Sequence, residues 1–259
     1  MKILIAVPSK GRADKIQKQT LSWLQHSEYH WRVFVEPQDF KSYEKVVPFG
    51  HLTLLQADNK GLGYAKKYIY TYANALEFDL IFKVDDDLYG WLDEMRVAKK
   101  EHSAPVFDWI IHESLELFKK YEDLKGVGFP YRFEMWQLRK WLGMNSRLQS
   151  CYITRTESFY PDERLSVFED FATYLKIRLN NGVTLRYGHA GMDCEDVGKN
   201  TGGHQNFNRR TRARQEAEVL RSIYPGIKFK RVEGKDWDLE PDFDDELFRG
   251  KKEAEYGEA

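Results

Sequence analysis

Leu80-Ile81-Phe82-Lys83-Val84-Asp85-Asp86-Asp87 is the stretch on which the fold turns. An apolar run broken only by Lys83 flows into three consecutive aspartates. A run this short, closed by turn-forming acids, reads as a strand buried on both faces. In an open α/β sheet ligands sit at the carboxyl ends of the strands, which is where these acids fall. Alternation along an extended segment directs Asp85 and Asp87 to one side of that end, with Asp86 pointing away. Two carboxylates so placed are hard oxygen ligands for Mg²⁺ or Mn²⁺ carrying a diphosphate. The plain alternative is a solvated acidic turn.

The same punctuation recurs upstream. Residues 3–7 (ILIAV) form a short apolar run ending at Pro8-Ser9-Lys10-Gly11, a strand and then a turn. A helix follows with Ile16, Thr20, Trp23 and Leu24 on one face. Residues 32–35 are a second strand stopped by Pro37, residues 52–55 a third, and Gly61-Leu62-Gly63 opens a helix to about Ala75. Apolar strands spaced by helices make a parallel sheet covered on both faces, a doubly wound α/β half. The turn Pro8-Ser9-Lys10-Gly11-Arg12 carries two cations that either lie over a nucleotide or are plain surface charges. Glu36, at the end of the second strand, is placed to accept from a ribose hydroxyl or a base.

Downstream the pattern loosens. Residues 105–121 read as an amphipathic helix with Val106, Trp109, Ile110, Leu117 and Phe118 facing the core. Residues 128–141 are aromatic-rich, and 150–154 read as a strand. Residues 167–179 form a helix closed by Asn180-Asn181-Gly182, and 208–224 a strongly charged one.

The chain has 259 residues, 42% hydrophobic, 15% aromatic and 31% charged, a composition that excludes disorder as the main state. No apolar run approaches the roughly 18 to 20 residues of a membrane span, and the first residues are too short for a signal peptide. Cys151 and Cys194 lack the spacing of a disulfide framework or zinc knuckle, so a reducing, cytoplasmic setting is expected. The net charge of −1 hides an asymmetry. Residues 233–259 hold 11 acidic side chains against 4 basic, and residues 204–231 hold 8 basic against 2 acidic. The expected layout is one domain over residues 1–232 with an acidic tail over 233–259. A basic patch beside such a tail points to an anionic partner, or to a tail that shields the patch.

Val7-Pro8-Ser9-Lys10-Gly11-Arg12, Asn59-Lys60-Gly61-Leu62-Gly63 and the D-x-D of Asp85/Asp87 together resemble a GT-A-fold glycosyltransferase. The likeness covers residues 2–90 well and the remainder in outline. It implies a Rossmann-like mixed sheet flanked by helices and a nucleotide-sugar donor, UDP-linked. Pro8, Ser9, Lys10, Arg12, Glu36, Gly61, Gly63, Asp85 and Asp86 would hold the donor. Mn²⁺ or Mg²⁺ would sit on Asp85 and Asp87. Phe168-Glu169-Asp170-Phe171 is similar to the pair that supplies the catalytic base, with Asp170 the first choice and Glu169 the second; a helix N-terminus favours the ionised form. His204, after Thr201-Gly202-Gly203, is the implied third metal ligand. His189 competes with it, and Asp193, Glu195 and Asp196 lie between them.

The ensemble, with the later Gly-Gly-His-Gln-Asn-Phe-Asn-Arg-Arg, is similar to the TET-associated glycosyltransferases, which resemble phage and base-J enzymes that glycosylate hydroxymethylated pyrimidines in DNA. This implies a modified DNA base as acceptor, inversion, and a host cytoplasm if the chain is phage-encoded. Arg209, Arg210, Arg212 and Arg214 would face a diphosphate or the DNA backbone. Tyr131, Phe133 and Trp136 would stack on a flipped base, or else pack in the core. A saccharide, lipid or protein acceptor, a nucleotidyltransferase and a non-catalytic nucleic-acid-binding module are the alternatives. No membrane partner is expected, and the oligomeric state is left open.

Overall fold

The apolar runs of the first half become parallel strands: β1 (Ile3–Ser9), β2 (Trp31–Val35), β3 (Leu52–Leu54) and β4 (Leu80–Lys83). They lie in the order β3-β2-β1-β4, with Ile5 beside both Trp31 and Phe82 and Val33 beside Leu52. The chain leaves β1 in one direction to build β2 and β3, then returns to add β4 on the other side. This reversal opens a crevice between the carboxyl ends of β1 and β4, the place where such sheets take ligand. Both the turn after Ser9 and the aspartates after Lys83 end there.

The computed structural model describes residues 1–93, 100–135, 142–148, 150–158, 162–194, 209–231 and 239–242. Helices α1 (Ala13–Lys18), α2 (Thr20–Leu24), α3 (Phe40–Tyr43) and α4 (Leu62–Ala75) link the first strands. The single helix expected after β1 is broken at Gln19 (φ −110°, ψ −101°), yet Ile16, Thr20, Trp23 and Leu24 are all buried. Beyond β4 come β5 (Leu88–Leu92), α5 (Lys100–Lys120), β6 (Leu124–Gly128), α6 (Arg132–Met135), β7 (Leu142–Met144) and β8 (Tyr152–Arg155). After these come α7 (Glu169–Leu179), β9 (Val183–Tyr187), β10 (Gly191–Cys194), α8 (Arg209–Ile223), β11 (Phe229–Arg231) and β12 (Leu239–Pro241). The sheet continues from β4 as β8-β6-β9-β7, eight strands in all. β8 runs antiparallel to β4 and β6, and β7 antiparallel to β9, which makes the sheet mixed.

Strand period two divides the core. Ile5, Val7, Val33, Phe82, Val127 and Ile153 pack under α2 and α5 against Trp23, Phe107 and Ile110. Leu4, Ala6, Phe34 and Ile81 pack under α4 against Ala65, Ile69, Tyr70 and Ala73. α5 keeps most of its expected face: Ile110 and Phe118 are buried and Val106 and Leu117 pack against the core, joined by Phe107 and Ile111, while Trp109 is 39% exposed and meets the edge of Tyr187. Residues 239–241, inside the expected tail, pair with β11, and Leu239 packs in the cluster of Phe168, Phe171 and Leu220. The tail from residue 243 onward lies outside the described residues. Among the described residues no helix is long and apolar enough to cross a membrane.

Candidate active site

The aspartates do not continue β4 as an extended segment; residues 86–87 form a turn. Alternation therefore fails, and Asp86 does not point away. Its buried carboxylate accepts from Ser9 Oγ (2.5 Å) and Arg12 Nη1 (2.8 Å). A relay supports this brace: the Arg12 N–H donates to the Tyr43 hydroxyl (2.9 Å), which lies 2.6 Å from Ser9 Oγ. Burial pushes the Tyr43 hydroxyl up, so it stays a donor. Arg12 Nη1 also reaches Asp87 Oδ2 at 3.2 Å. Burial, then the charges of Asp85 and Asp86, push the Asp87 carboxyl up to about 6 against the pull of Arg12 and Lys83. Negative charge at this turn is incompletely compensated.

Asp85 is held differently. Its carboxylate pairs with Lys83 Nζ, which also donates to the Ser150 carbonyl (2.6 Å). Burial works most strongly against the Lys83 charge, but Asp85, together with Cys151 and Tyr152, raises the ammonium on balance. Thr20 closes the turn from α2: its hydroxyl donates to the Asp85 carbonyl (2.8 Å) and accepts from the Leu88 N–H (3.1 Å). Asp85 and Asp87 fit a hard divalent cation in charge and donor type. Among the described residues no group of three or more His, Cys, Asp or Glu side chains is arranged to hold a metal. His204, Glu195 and Asp196 lie outside the described residues. His189 lies against Tyr187, the rings 5.3 Å apart and tilted by 50°, and Asp193 pairs with Arg132 at 3.4 Å.

Across the crevice, Gly11 takes φ +65°, a conformation that favours glycine, and its N–H donates to Asp39 (2.9 Å). Pro8 stays inside β1, beside Phe34. Lys10 bridges Glu36 (2.8 Å) and Asn59 (2.7 Å), and Gln38 donates to Glu36 (2.6 Å). Gly61 (φ +87°) and Gly63 start α4 against the 162–166 segment; a Cβ on Gly63 would stand 2.0 Å from the Leu165 carbonyl oxygen. Close backbone packing thus accounts for Gly63.

The second acidic group begins α7. Lys66, on α4 and 1% exposed, donates to Glu169 Oε1 (2.5 Å) and to the Tyr152 hydroxyl (2.9 Å). Tyr152 is the register partner of Lys83, so one strand pair joins this group to the acidic turn. Asp170 accepts from its neighbour, the Phe171 N–H (2.8 Å), and faces Arg147 at 3.4 Å, whose guanidinium stands 3.9 Å over the Phe171 ring. Burial pushes the Asp170 carboxyl up, with Arg147 and Lys66 opposing and Glu169 adding to the rise. Lys66, Tyr152 and Arg147 had escaped notice in the sequence. Lys66 carried a signal: it shares the stripe of Ile69, Tyr70 and Ala73, where a charge is out of place.

Near the turn, Tyr131 bonds the Ser150 hydroxyl and stacks on Phe133, rings 5.6 Å apart and 6° from parallel. Phe133 is 62% exposed; Trp136 lies outside the described residues. On α8, Arg212 is engaged internally, with Glu216 (2.7 Å) and the Arg164 carbonyl (2.8 Å). Arg214 is exposed; the side chains of Arg209 and Arg210 lie outside the description.

Among solved structures, glucosyl-3-phosphoglycerate synthase from Mycobacterium tuberculosis, in complex with Mn²⁺, UDP and phosphoglyceric acid, is 12% identical with a TM-score of 0.53, covering 93% of this chain and 86% of that one. S. aureus TarS (residues 1–349) is 16% identical with a TM-score of 0.47, over 74% of this chain and 59% of that one. The chain spans 36% of the longer TarS structure. At such identities the likeness to the synthase shows a shared fold, that of GT-A glycosyltransferases. No curated relative matches the sequence. The family model described as TET-Associated Glycosyltransferase matches residues 3–203. That span runs from the first strand through both acidic groups, and the chain accordingly belongs to the TET-associated glycosyltransferase family, as a glycosyltransferase of GT-A fold.

Proposed function

We propose that the chain moves a sugar from a UDP-sugar to the hydroxyl of a hydroxymethylated pyrimidine base in DNA, with inversion at the sugar carbon. One observation carries the reading: two acidic groups, after β4 and at the start of α7, are joined through the Lys83–Tyr152 register pair at the carboxyl end of the central strand β4. UDP and Mn²⁺ are inferred from the fold shared with the mycobacterial synthase, described with both. The DNA acceptor follows from the family and from the exposed ring of Phe133, stacked parallel on Tyr131.

In this reading the turn from Pro8 to Arg12 lies under the nucleotide, with Lys10 and Glu36 toward the ribose and Arg12 toward the phosphates. Asp85 and Asp87, with His204, would hold Mn²⁺ or Mg²⁺, which when bound neutralises the leaving diphosphate. Asp170 takes the proton of the acceptor hydroxyl as that oxygen forms its bond to the sugar carbon. The bond from that carbon to the diphosphate breaks, and its electron pair leaves with UDP. Phe133 offers a flat face to the acceptor base.

The test is incubation with UDP-glucose and Mn²⁺ on duplexes containing hydroxymethylcytosine or plain cytosine, followed by mass analysis of the nucleosides and proton NMR of the anomeric coupling. A hexose added to the modified nucleoside alone, in the inverted configuration, is expected. Transfer to a saccharide and none to DNA would contradict the acceptor assignment.

A further inference from the structure

Two buried charges on otherwise apolar helix stripes converge on the start of α7. Lys66 sits on α4 with Ile69, Tyr70 and Ala73; Glu216 sits on α8 with Ala213, Ala217 and Leu220. A charge on such a stripe is retained only with partners, and both find them at one place. Glu216 accepts the backbone N–H groups of Ser166 (2.8 Å), Val167 (2.7 Å) and Phe168 (3.0 Å), the residues that lead into Glu169. Lys66 takes the Glu169 side chain. The backbone entering α7 is thus gripped from α8, and its first side chain from α4. Asp170, the next residue, accepts nothing from either; its described partners are Arg147 and the Phe171 N–H.

We propose that Lys66 is a positioning residue of the transfer reaction: by anchoring Glu169 it fixes the first turn of α7, so that Glu169 is the handle and Asp170 the proton acceptor. This rests on the reading of Asp170 as base given above. Glu169 is buried against a cation and a phenol, and an acid so tied is a poor acceptor for a substrate proton. Asp170 stands one residue further along the same turn, so any rotation of that turn moves its carboxylate. A misplacement of about 1 Å is enough to cost up to about 100-fold in rate.

The experiment uses the full chain and UDP-glucose with Mn²⁺, water serving as acceptor, and compares Glu169→Gln, Asp170→Asn, Lys66→Met and Lys66→Met/Glu169→Gln. Glu169→Gln keeps an oxygen for Lys66 at the cost of the ion pair and is expected to lose less kcat than Asp170→Asn. Its acid limb moves to lower pH, because the Glu169 charge that raises Asp170 is gone. Lys66→Met strands a buried carboxylate and can fail to fold; the pair variant removes that charge. The pair variant is expected to fold, to bind UDP as wild type does, and to lose about 10- to 100-fold in kcat. Wild-type kcat per folded molecule in the pair variant would make Lys66 merely structural and overturn the proposal. So would loss of turnover in Glu169→Gln with turnover kept in Asp170→Asn. Wild-type turnover in both of those single variants is a different result, which removes the base reading itself. Amide exchange over residues 169–173 needs no substrate: faster exchange in the pair variant is expected, and unchanged exchange overturns the anchoring.

Discussion

At the end of β4 three carboxylates crowd around Arg12 and Lys83, whereas at the start of α7 Glu169 meets Lys66 and Asp170 faces Arg147. Both groups contain one acid held by its partners: Asp86 by Ser9 and Arg12, Glu169 by Lys66, which also bonds Tyr152. They differ in balance. The first leaves Asp87 raised mainly by burial and by its acidic neighbours, a place where added positive charge is welcome. The second sets opposite charges side by side, and burial is the main cause that lifts Asp170. Consecutive acids in a sequence are therefore not equivalent. In each run one acid is tied into the scaffold and, under the proposed function, another meets substrate; the difference lies in side chains contributed by distant elements.

The largest effect should separate the two groups. Asp87→Ala is expected to lower turnover by roughly a thousand-fold or more, because several kcal/mol of charge stabilisation at the diphosphate is lost; metal-dependent UDP binding should go with it. Asp170→Asn should cost about 10²- to 10⁴-fold in kcat while UDP affinity stays as in wild type. If Asp170→Asn also weakened UDP binding in Mn²⁺, the division between the groups would break. Phe133→Ala should raise the half-saturating concentration of hydroxymethylated DNA roughly 5- to 150-fold, from about 1–3 kcal/mol of lost stacking. Its exposed ring leaves the melting temperature unchanged, and an unaltered DNA dependence would remove Phe133 from the acceptor side. Glu216→Gln should destabilise the fold by about 1–2 kcal/mol, since it weakens three charge-assisted bonds to the entry of α7. Thermal melting reads that loss directly.

The first half of this arrangement was legible because its strands are buried on both faces. Continuous apolar runs closed by Pro, Gly or Asp marked β1 to β4 with little ambiguity, and the order β3-β2-β1-β4 follows from a doubly wound half. The second half was harder for a physical reason. β9 carries Arg186 between buried residues, β7 has three residues, and β8 enters the sheet antiparallel through a register that no local pattern encodes. The acidic run itself was visible, but its internal roles were not. A turn at residues 86–87 replaces the extended geometry that alternation assumes, and Asp86 is drawn inward by Ser9 at the end of β1 and Arg12 in the turn after it, far away in the chain. Lys66 and Glu216 were legible in principle, each a charge at helical spacing among buried residues. Only the fold shows that both reach one turn.

The central claim is that the β4 turn holds a nucleoside diphosphate through a divalent cation. Calorimetric titration of UDP, with and without Mn²⁺, into the wild type and into Asp85→Ala/Asp87→Ala tests it most directly. Binding that needs Mn²⁺ in the wild type and disappears in the double variant is the predicted result. Binding indifferent to Mn²⁺ and kept in the double variant would contradict it, and would move the donor site away from these carboxylates.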